Sequence, residues 1–381
     1  MDKAESKPAA KSGAGLENVV AAESAIGDVD GVNGVLIYQG LNINDLAEHS
    51  TFEETVYLLW HGRLPKRDEL DGLRRELAAN QHLPEELLAL MRSFPAEAEP
   101  MDALRTAISA LGFYDPGGRD LSRAGALRTA TRLTAQFPVV VATFERLRKG
   151  QEPVEPRADF NIASNFLYML KGEEPAEREA RIFDVCLILH ADHELNASTF
   201  TSRVIAGTLA DMYGAVTGAI AALSGPLHGG ANTNVMKMLL EIGEPARAEE
   251  WLREALASKK KIMGFGHRVY KTEDPRAAWL RRFSRELAEA KGETRWIEIL
   301  DRLRELMFTE KKLYPNVDYY SGSAYYMMGI PLDLFTPIFA VSRISGWTGH
   351  ILEQYSNNRL IRPRAEYIGP RGVPYVPIDE R

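Results

Sequence analysis

Three stretches of the chain place a histidine or an aspartate where acid–base chemistry is possible. His228 sits in SGPLHGGANTN, where Gly225-Pro226 ends one helix and Gly229-Gly230 lets backbone approach a ligand before a new helix begins near Asn232. A histidine at a helix N-terminus feels the positive end of the dipole and is biased towards its neutral form, which suits a hydrogen bond to a carbonyl oxygen. His267 lies in IMGFGHRVYKTEDPR, after a Gly-x-Gly turn, and eight basic residues between Lys259 and Arg282 face only Glu273 and Asp274. Free amides in such a turn, with lysines and arginines around it, form a cradle for phosphate or carboxylate groups. The stretch lacks the Gly-Lys-Ser/Thr ending of a nucleotide-binding loop and does not follow a strand as a dinucleotide fingerprint does. Asp318 stands in YPNVDYYSG, where neighbouring tyrosines would partly desolvate the carboxylate and make it a better base; its ordinary alternative is a helix cap. Arg343 lies in the apolar run Phe339 to Ile344 and needs an anionic partner, because an unpaired buried charge is very costly. Arg362 follows in NNRLIRPR, and a planar dicarboxylate would satisfy several such guanidinium forks at once.

His190 and His193, in HADHELN, stand three apart on what reads as one helical face, a spacing compatible with metal ligation. No cysteine or further histidine lies nearby to complete a set, so no metal site is expected. His49, His61 and His82 fall in amphipathic or turn segments without unusual neighbours and read as structural.

Positioning these residues is the work of helices. Ser50-Thr51-Phe52-Glu53 has capping-box spacing, followed by apolar residues at Val56, Leu59 and Trp60 and stopped by Gly62 and Pro65. Further amphipathic segments are expected at Arg67 to Asn80, Pro84 to Arg92, Met101 to Leu111, Ser122 to Gly150, Glu177 to His190, Thr199 to Leu223, Ala246 to Lys260, Arg276 to Lys291 and Arg295 to Thr309. Strand character is confined to Gly34 to Gln39 and to Val373 to Ile378. Gly207, Gly214 and Gly218 in a helical region point to a close crossing with another helix, within the chain or across a dimer seam. The fold class is mainly α.

The chain has 381 residues, 45% apolar and 26% charged, with 30 Gly and 20 Pro, which suits a multidomain globular protein and excludes disordered and collagen-like classes. A net charge of −7 opposes nucleic-acid binding. The single Cys186 sits in an apolar run and reads as a buried thiol in a reducing compartment. Residues 1–15 read as a disordered tail with neither a secretory core nor an Arg-rich transit signal, and no apolar run is long enough to span a bilayer. A cytoplasmic protein without membrane contact is expected.

Taken together, HADHELNAST, SGPLHGGAN, MGFGHRVYKTEDPR, PNVDYYSG and IFAVSRISGW followed by IRPR resemble citrate synthase, specifically its shorter bacterial and archaeal form, from about Gly34 to the C-terminus. The resemblance implies a catalytic trio of His228, His267 and Asp318. It implies oxaloacetate contacts from His193 rather than His190, and from Arg276, Arg343 and Arg362, the last supplied by a partner subunit. It places coenzyme A on the turn Ile262, Met263, Gly264, Phe265 and Gly266, with Arg268, Lys271 and the run Lys259 to Lys261 as weaker phosphate contacts. The substrates implied are oxaloacetate and acetyl-CoA, without cofactor or metal. A two-domain, multi-helical homodimer with minimal β structure is implied, in which a small domain of residues 224–324 closes on a large domain of 16–223 and 325–381. The chain is shorter than the NADH-inhibited hexameric class and lacks the extra N-terminal domain of that class, so a dimer without that control is expected. The alternatives are 2-methylcitrate synthase, using propionyl-CoA on the same scaffold, a non-catalytic ligand-binding homologue, and a metalloenzyme built on His190 and His193.

Overall fold

A computed structural model describes residues 14–16 and 19–381. The expected tail over residues 1–15 therefore lies mostly outside the described residues. Among those described there are sixteen α-helices and one small sheet. The helices are α1 (Ile43–His49), α2 (Phe52–His61), α3 (Arg67–Ala79), α4 (Glu85–Arg92), α5 (Pro100–Leu111), α6 (Arg123–Arg148), α7 (Ile162–Lys171) and α8 (Glu177–His190). They continue as α9 (Ala197–Ala206), α10 (Met212–Leu223), α11 (Ala231–Ile242), α12 (Ala248–Ala257), α13 (Pro275–Lys291), α14 (Arg295–Lys311), α15 (Val317–Met327) and α16 (Phe335–Ser356). Among the described residues no helix is long and apolar enough to cross a membrane.

The sheet is an antiparallel meander of β1 (Gly27–Asp30), β2 (Val35–Tyr38) and β3 (Leu41–Asn42), with Gly27 opposite Tyr38 and Asp30 opposite Val35. Its job is positional. The Tyr38 hydroxyl donates to the Asp192 carbonyl (2.9 Å), beside His193, while Gly31 in the β1–β2 turn accepts from the Lys271 amide (2.7 Å), beyond His267. One hairpin thus braces both loops that carry these histidines.

Helix α16 runs through the middle and packs on α2, α6, α8, α9 and α10. Seventeen of its 22 residues are buried, so it has no polar stripe and no amphipathic signal, which is why its sequence reads only as an apolar run. α13 packs on α15, α11 on α15, and α12 on α14.

Several expectations need correction. The capping box of α2 is one residue later than its spacing suggested: Thr51 caps Glu54 and Glu54 bonds back to the Thr51 amide (2.8 Å). Ser50 is already engaged as the C-cap of α1, and the Glu53 carboxylate turns inward to accept from the Ile162 amide (2.9 Å) at the start of α7. The single helix expected from Thr199 to Leu223 is two, capped by Asn196 and Asp211 and separated at Gly207 to Ala210, where Leu209 takes a positive φ of 65°. Gly218 faces Ile205 of α9, so an intramolecular crossing accounts for this glycine. Val373 to Ile378 is not a strand; the segment is exposed, pairs with no strand among the described residues, and ends in a 3-10 turn at Ile378–Glu380. His190 and His193 do not share a helical face, because α8 ends at His190.

Candidate active site

His267 and His228 each have one ring nitrogen held by backbone amides, and that fixes the proton on the other. His267 follows the turn Gly264–Gly266, and its Nδ1 accepts from the amides of Val269 (3.0 Å) and Tyr270 (3.1 Å). Amides only donate, so Nδ1 holds the lone pair and Nε2 carries the proton. His228 is the mirror case. Its Nε2 accepts from the Ser198 amide at the start of α9 (3.2 Å), with the Ser198 hydroxyl 2.8 Å away, so the proton sits on Nδ1. Ser198 is held in turn by the Trp347 indole N–H (3.1 Å). Burial pulls both imidazoles down to about 4, helped by the Arg343 charge at His228 and the Arg276 charge at His267. Both rings are neutral donors at pH 7. At His228 burial is the largest cause and the Arg343 charge adds to it.

His193 lies in the loop between α8 and α9, and its ring packs edge-on against His267 (5.2 Å) and Tyr270 (5.6 Å). Its buried Nε2 has no hydrogen-bond partner among the described residues, and burial with the nearby Arg276 charge holds its pKa well below the ordinary value. The Tyr270 hydroxyl, also buried, is likewise unpartnered. Such groups mark a place where a polar ligand belongs.

The carboxylate comes from the other side of the same turn. Asp318 is in the first turn of α15, whose cap is Asn316; Asn316 Oδ1 accepts from the Asp318 amide (3.1 Å). The Asn316 amide donates to the Gly264 carbonyl (2.9 Å) and its Nδ2 to the Gly266 carbonyl (3.0 Å), so one residue ties the Asp318 helix to the His267 turn. Gly264 has φ +80°, and a Cβ there would lie 2.7 Å from the Tyr319 ring, so both backbone and space require glycine. Burial pushes the Asp318 carboxyl up to about 6, against the opposing pull of Arg276 and Arg343.

The two arginines are both buried, at 2% and 1% exposure for Arg276 and Arg343, but they differ in their partners. Arg276 grips Asp274 through Nε (2.9 Å) and Nη2 (2.7 Å). Arg343 has no carboxylate within ion-pair distance among the described residues; Nε donates to the His190 carbonyl (2.7 Å), the guanidinium stacks on Phe339 (4.5 Å), and burial draws its pKa down to about 10. A buried guanidinium left without a counter-ion is unfavourable in the empty protein and ready for an anion.

His193, His267, Asp318, Arg276 and Arg343 therefore share one electrostatic neighbourhood, joined by His228 through Arg343. Arg362 does not join it within the chain. It is exposed on the segment after α16 and lines a separate cavity of about 730 Å³ with Phe200, Arg203 and Glu353.

The turn expected to meet coenzyme A is partly core: Ile262 is buried, and Met263 and Phe265 pack against the hydrophobic interior. The basic cluster around it is smaller than its composition suggested. Lys260 pairs with Glu241 (2.9 Å), Arg276 with Asp274 and Arg281 with Asp301 (2.7 Å); of the other five, Lys259, Lys261, Arg268, Lys271 and Arg282, all exposed and without an ion pair among the described residues, Arg268 and Lys271 stand nearest His267 in the chain. His190 is apart from this chemistry, its Nδ1 on the Cys186 carbonyl (2.7 Å) and its ring against Phe339. Among the described residues no group of three or more His, Cys, Asp or Glu is arranged to hold a metal.

Sequence reasoning missed Ser198, Tyr270 and Asn316. Asn316 carries a legible signal, an Asn two residues before the acid at a helix start. Ser198 acts on a histidine 30 residues away and gives none.

Two neutral imidazoles with defined protons, a carboxylate of raised proton affinity and an uncompensated guanidinium are groups that can bind an anion, polarise a carbonyl and move a proton. The comparisons narrow that chemistry. Residues 15–364 match the family model described as citrate synthase, C-terminal domain. The chain is 55% identical to Citrate synthase 2 of Bacillus subtilis strain 168, over 96% of this chain and 98% of that protein. The crystal structure of citrate synthase from Pyrobaculum aerophilum superposes with a TM-score of 0.91 at 44% identity, covering 97% of this chain and 95% of that one. A ternary complex of carboxymethyl coenzyme A and oxaloacetate with citrate synthase from Thermoplasma acidophilum gives 0.91 at 34% identity, covering 97% and 99%. Relatives named 2-methylcitrate synthase match at 42% identity. The chain belongs to the citrate synthase family, and it is an acyl-transferring enzyme of that family with its all-α fold.

Proposed function

We propose that this enzyme condenses acetyl-CoA with oxaloacetate and releases citrate and coenzyme A, with His228, His267 and Asp318 as its catalytic residues. Asp318 takes a proton from the acetyl methyl group while His228 Nδ1–H donates to the thioester oxygen, where negative charge develops. His267 Nε2–H donates to the ketone oxygen of oxaloacetate and polarises it for attack. The new carbon–carbon bond gives citryl-CoA, and water cleaves its thioester. His193, Arg276 and Arg343 hold the oxaloacetate carboxylates and ketone. The turn from Ile262 to Gly266, with Arg268 and Lys271, receives coenzyme A. These steps use side chains of the protein, its two substrates and one water.

The observation that carries this reading is the pair of fixed tautomers. Both histidines have one ring nitrogen occupied as an acceptor, so each keeps one proton on the other nitrogen, and Asp318, whose carboxyl is raised to about 6, shares with His267 the influence of Arg276 and with His228 that of Arg343. We also propose a cytoplasmic homodimer in which Arg362 reaches the partner subunit's site, since within one chain it stands apart from Arg276 and Arg343. In the dimer, residues 224–324 would form the small closing domain against 16–223 and 325–381, excluding water during reaction.

Replacing Asp318 by Ala tests the assignment of the base. Turnover should fall by about a thousandfold or more, the upper range for a general base, with the oxaloacetate affinity largely kept. An Asp318→Ala enzyme at full turnover would overturn it. Propionyl-CoA is the second reading for the acyl substrate, favoured by the relatives named 2-methylcitrate synthase.

A further inference from the structure

Behind His193 runs a line of buried polar side chains that the proposed chemistry does not touch. Asp192 and His350 are both fully buried, with Asp192 Oδ1 3.2 Å from His350 Nε2. On the other side of the ring, Arg203 Nη1 lies 3.2 Å from Nδ1. A guanidinium has only donors, so Nδ1 accepts and the ring proton is on Nε2, pointing at Asp192. Arg203 is anchored by an ion pair with Glu353 and by Nε to Gln354 (3.1 Å). Glu353 in turn accepts from the Ala25 amide (2.8 Å).

The near end of this line holds the His193 loop. Asp192 Oδ2 accepts from the Glu194 amide (3.1 Å), and Glu194 has a positive φ of 54°, an unfavourable conformation for a residue with a side chain. His193 lies between the two bonded residues, with its Nε2 unpartnered. The carboxylate occupies a slot that two glycines leave open: a Cβ on Gly346 would come within 2.7 Å of Oδ1, and one on Gly27 within 2.7 Å of Oδ2.

We propose that Asp192, His350 and Arg203 form a positioning relay for His193, in which the tautomer of His350 fixes the Asp192 carboxylate and the carboxylate fixes the strained 193–194 turn that presents Nε2 to oxaloacetate. The proposal rests on the assignment of His193 as an oxaloacetate ligand. It makes Asp192 and His350 positioning residues, acting on substrate only through their neighbour.

The test uses the full-length enzyme and the variants His193→Ala, His350→Ala, His350→Gln and the double His193→Ala/His350→Ala. His350→Ala should raise the oxaloacetate KM about tenfold or more, the weight of one hydrogen bond to a charged group. The acetyl-CoA KM at saturating oxaloacetate should stay within about twofold, below what the loss of one such bond produces. His350→Gln, which keeps a donor at the Nε2 position, should recover much of the loss. The double variant should be no worse than His193→Ala alone, because the relay acts through that residue. Additive effects in the double variant, equal rises in both KM values, no change, or a glutamine no better than alanine would each overturn the proposal. If His350→Ala does not fold, Asp192→Asn should give the same oxaloacetate-selective loss; if it too fails to fold, the line is a core element only and the proposal falls. A wild-type enzyme without turnover would instead refute the reaction assignment, and calorimetric oxaloacetate binding by the same variants would still test the relay.

Discussion

The acid limb of the pH–rate profile should be that of one carboxyl group. Asp318 must be ionised to take the methyl proton, and burial places its pKa at about 6. With that value about nine-tenths of the enzyme is active at pH 7 and about one-tenth at pH 5, so kcat/KM should fall about tenfold between them. The sign follows from the group: protonation on acidification removes the base, so activity is lost as pH falls. The histidines add nothing over this interval, since His228 and His267 are drawn down to about 4 and stay neutral. Below about pH 4 the limb should steepen as their protonation joins in. The assay is kcat/KM for acetyl-CoA at saturating oxaloacetate from pH 4 to 8, with Asp318→Glu as the control that shifts the midpoint if the residue is correctly assigned. A profile flat from pH 7 to 5, or one falling about a hundredfold as a two-proton process, would refute the reasoning.

Two substitutions separate function from stability. Arg343→Leu should raise the oxaloacetate KM by about a hundredfold, the loss of a buried charge-assisted contact, while leaving Tm unchanged or higher, because it removes a buried charge without a counter-ion; kinetics and thermal melts on one preparation check it, and a lower Tm with unchanged KM would contradict it. Gly264→Ala should cost about 2 kcal/mol and lower Tm by several degrees, from strain at positive φ and the clash with Tyr319, read by a thermal melt, with an unaltered Tm as the contrary result.

Legibility followed the range of the interactions. Helices α3 and α4 carry polar and apolar faces, and their spans were readable almost to the residue; α8, buried throughout 182–190, is marked instead by its charged first turns. The span of α16 was not readable, because a helix buried on every side has no face to alternate. The α9–α10 break was hidden by small residues compatible with one long helix. Motifs around His228, His267 and Asp318 stand out because glycine turns and flanking aromatics are local features. What fixes those residues is not local. The His350–Asp192 contact spans 158 residues, so nothing in the sequence separates His350 from the histidines read as structural. Burial and the Arg343 charge, which lower the His228 pKa, come from distant parts of the chain and are not legible around His228 itself. Two members of the basic run near His267, Lys260 and Arg281, are taken up by acids from elsewhere in the fold, Glu241 and Asp301, which the local sequence does not show.

The most direct test of the central claim is kcat/KM for acetyl-CoA and for propionyl-CoA, each with oxaloacetate, followed by thiol titration of the released coenzyme A. The one cysteine of the chain, Cys186, is buried, so the reagent reads coenzyme A against a low background. The account predicts coenzyme A release dependent on oxaloacetate, faster with acetyl-CoA. No release, or a preference for propionyl-CoA of about tenfold, the effect of about 1.4 kcal/mol in the transition state, would contradict it.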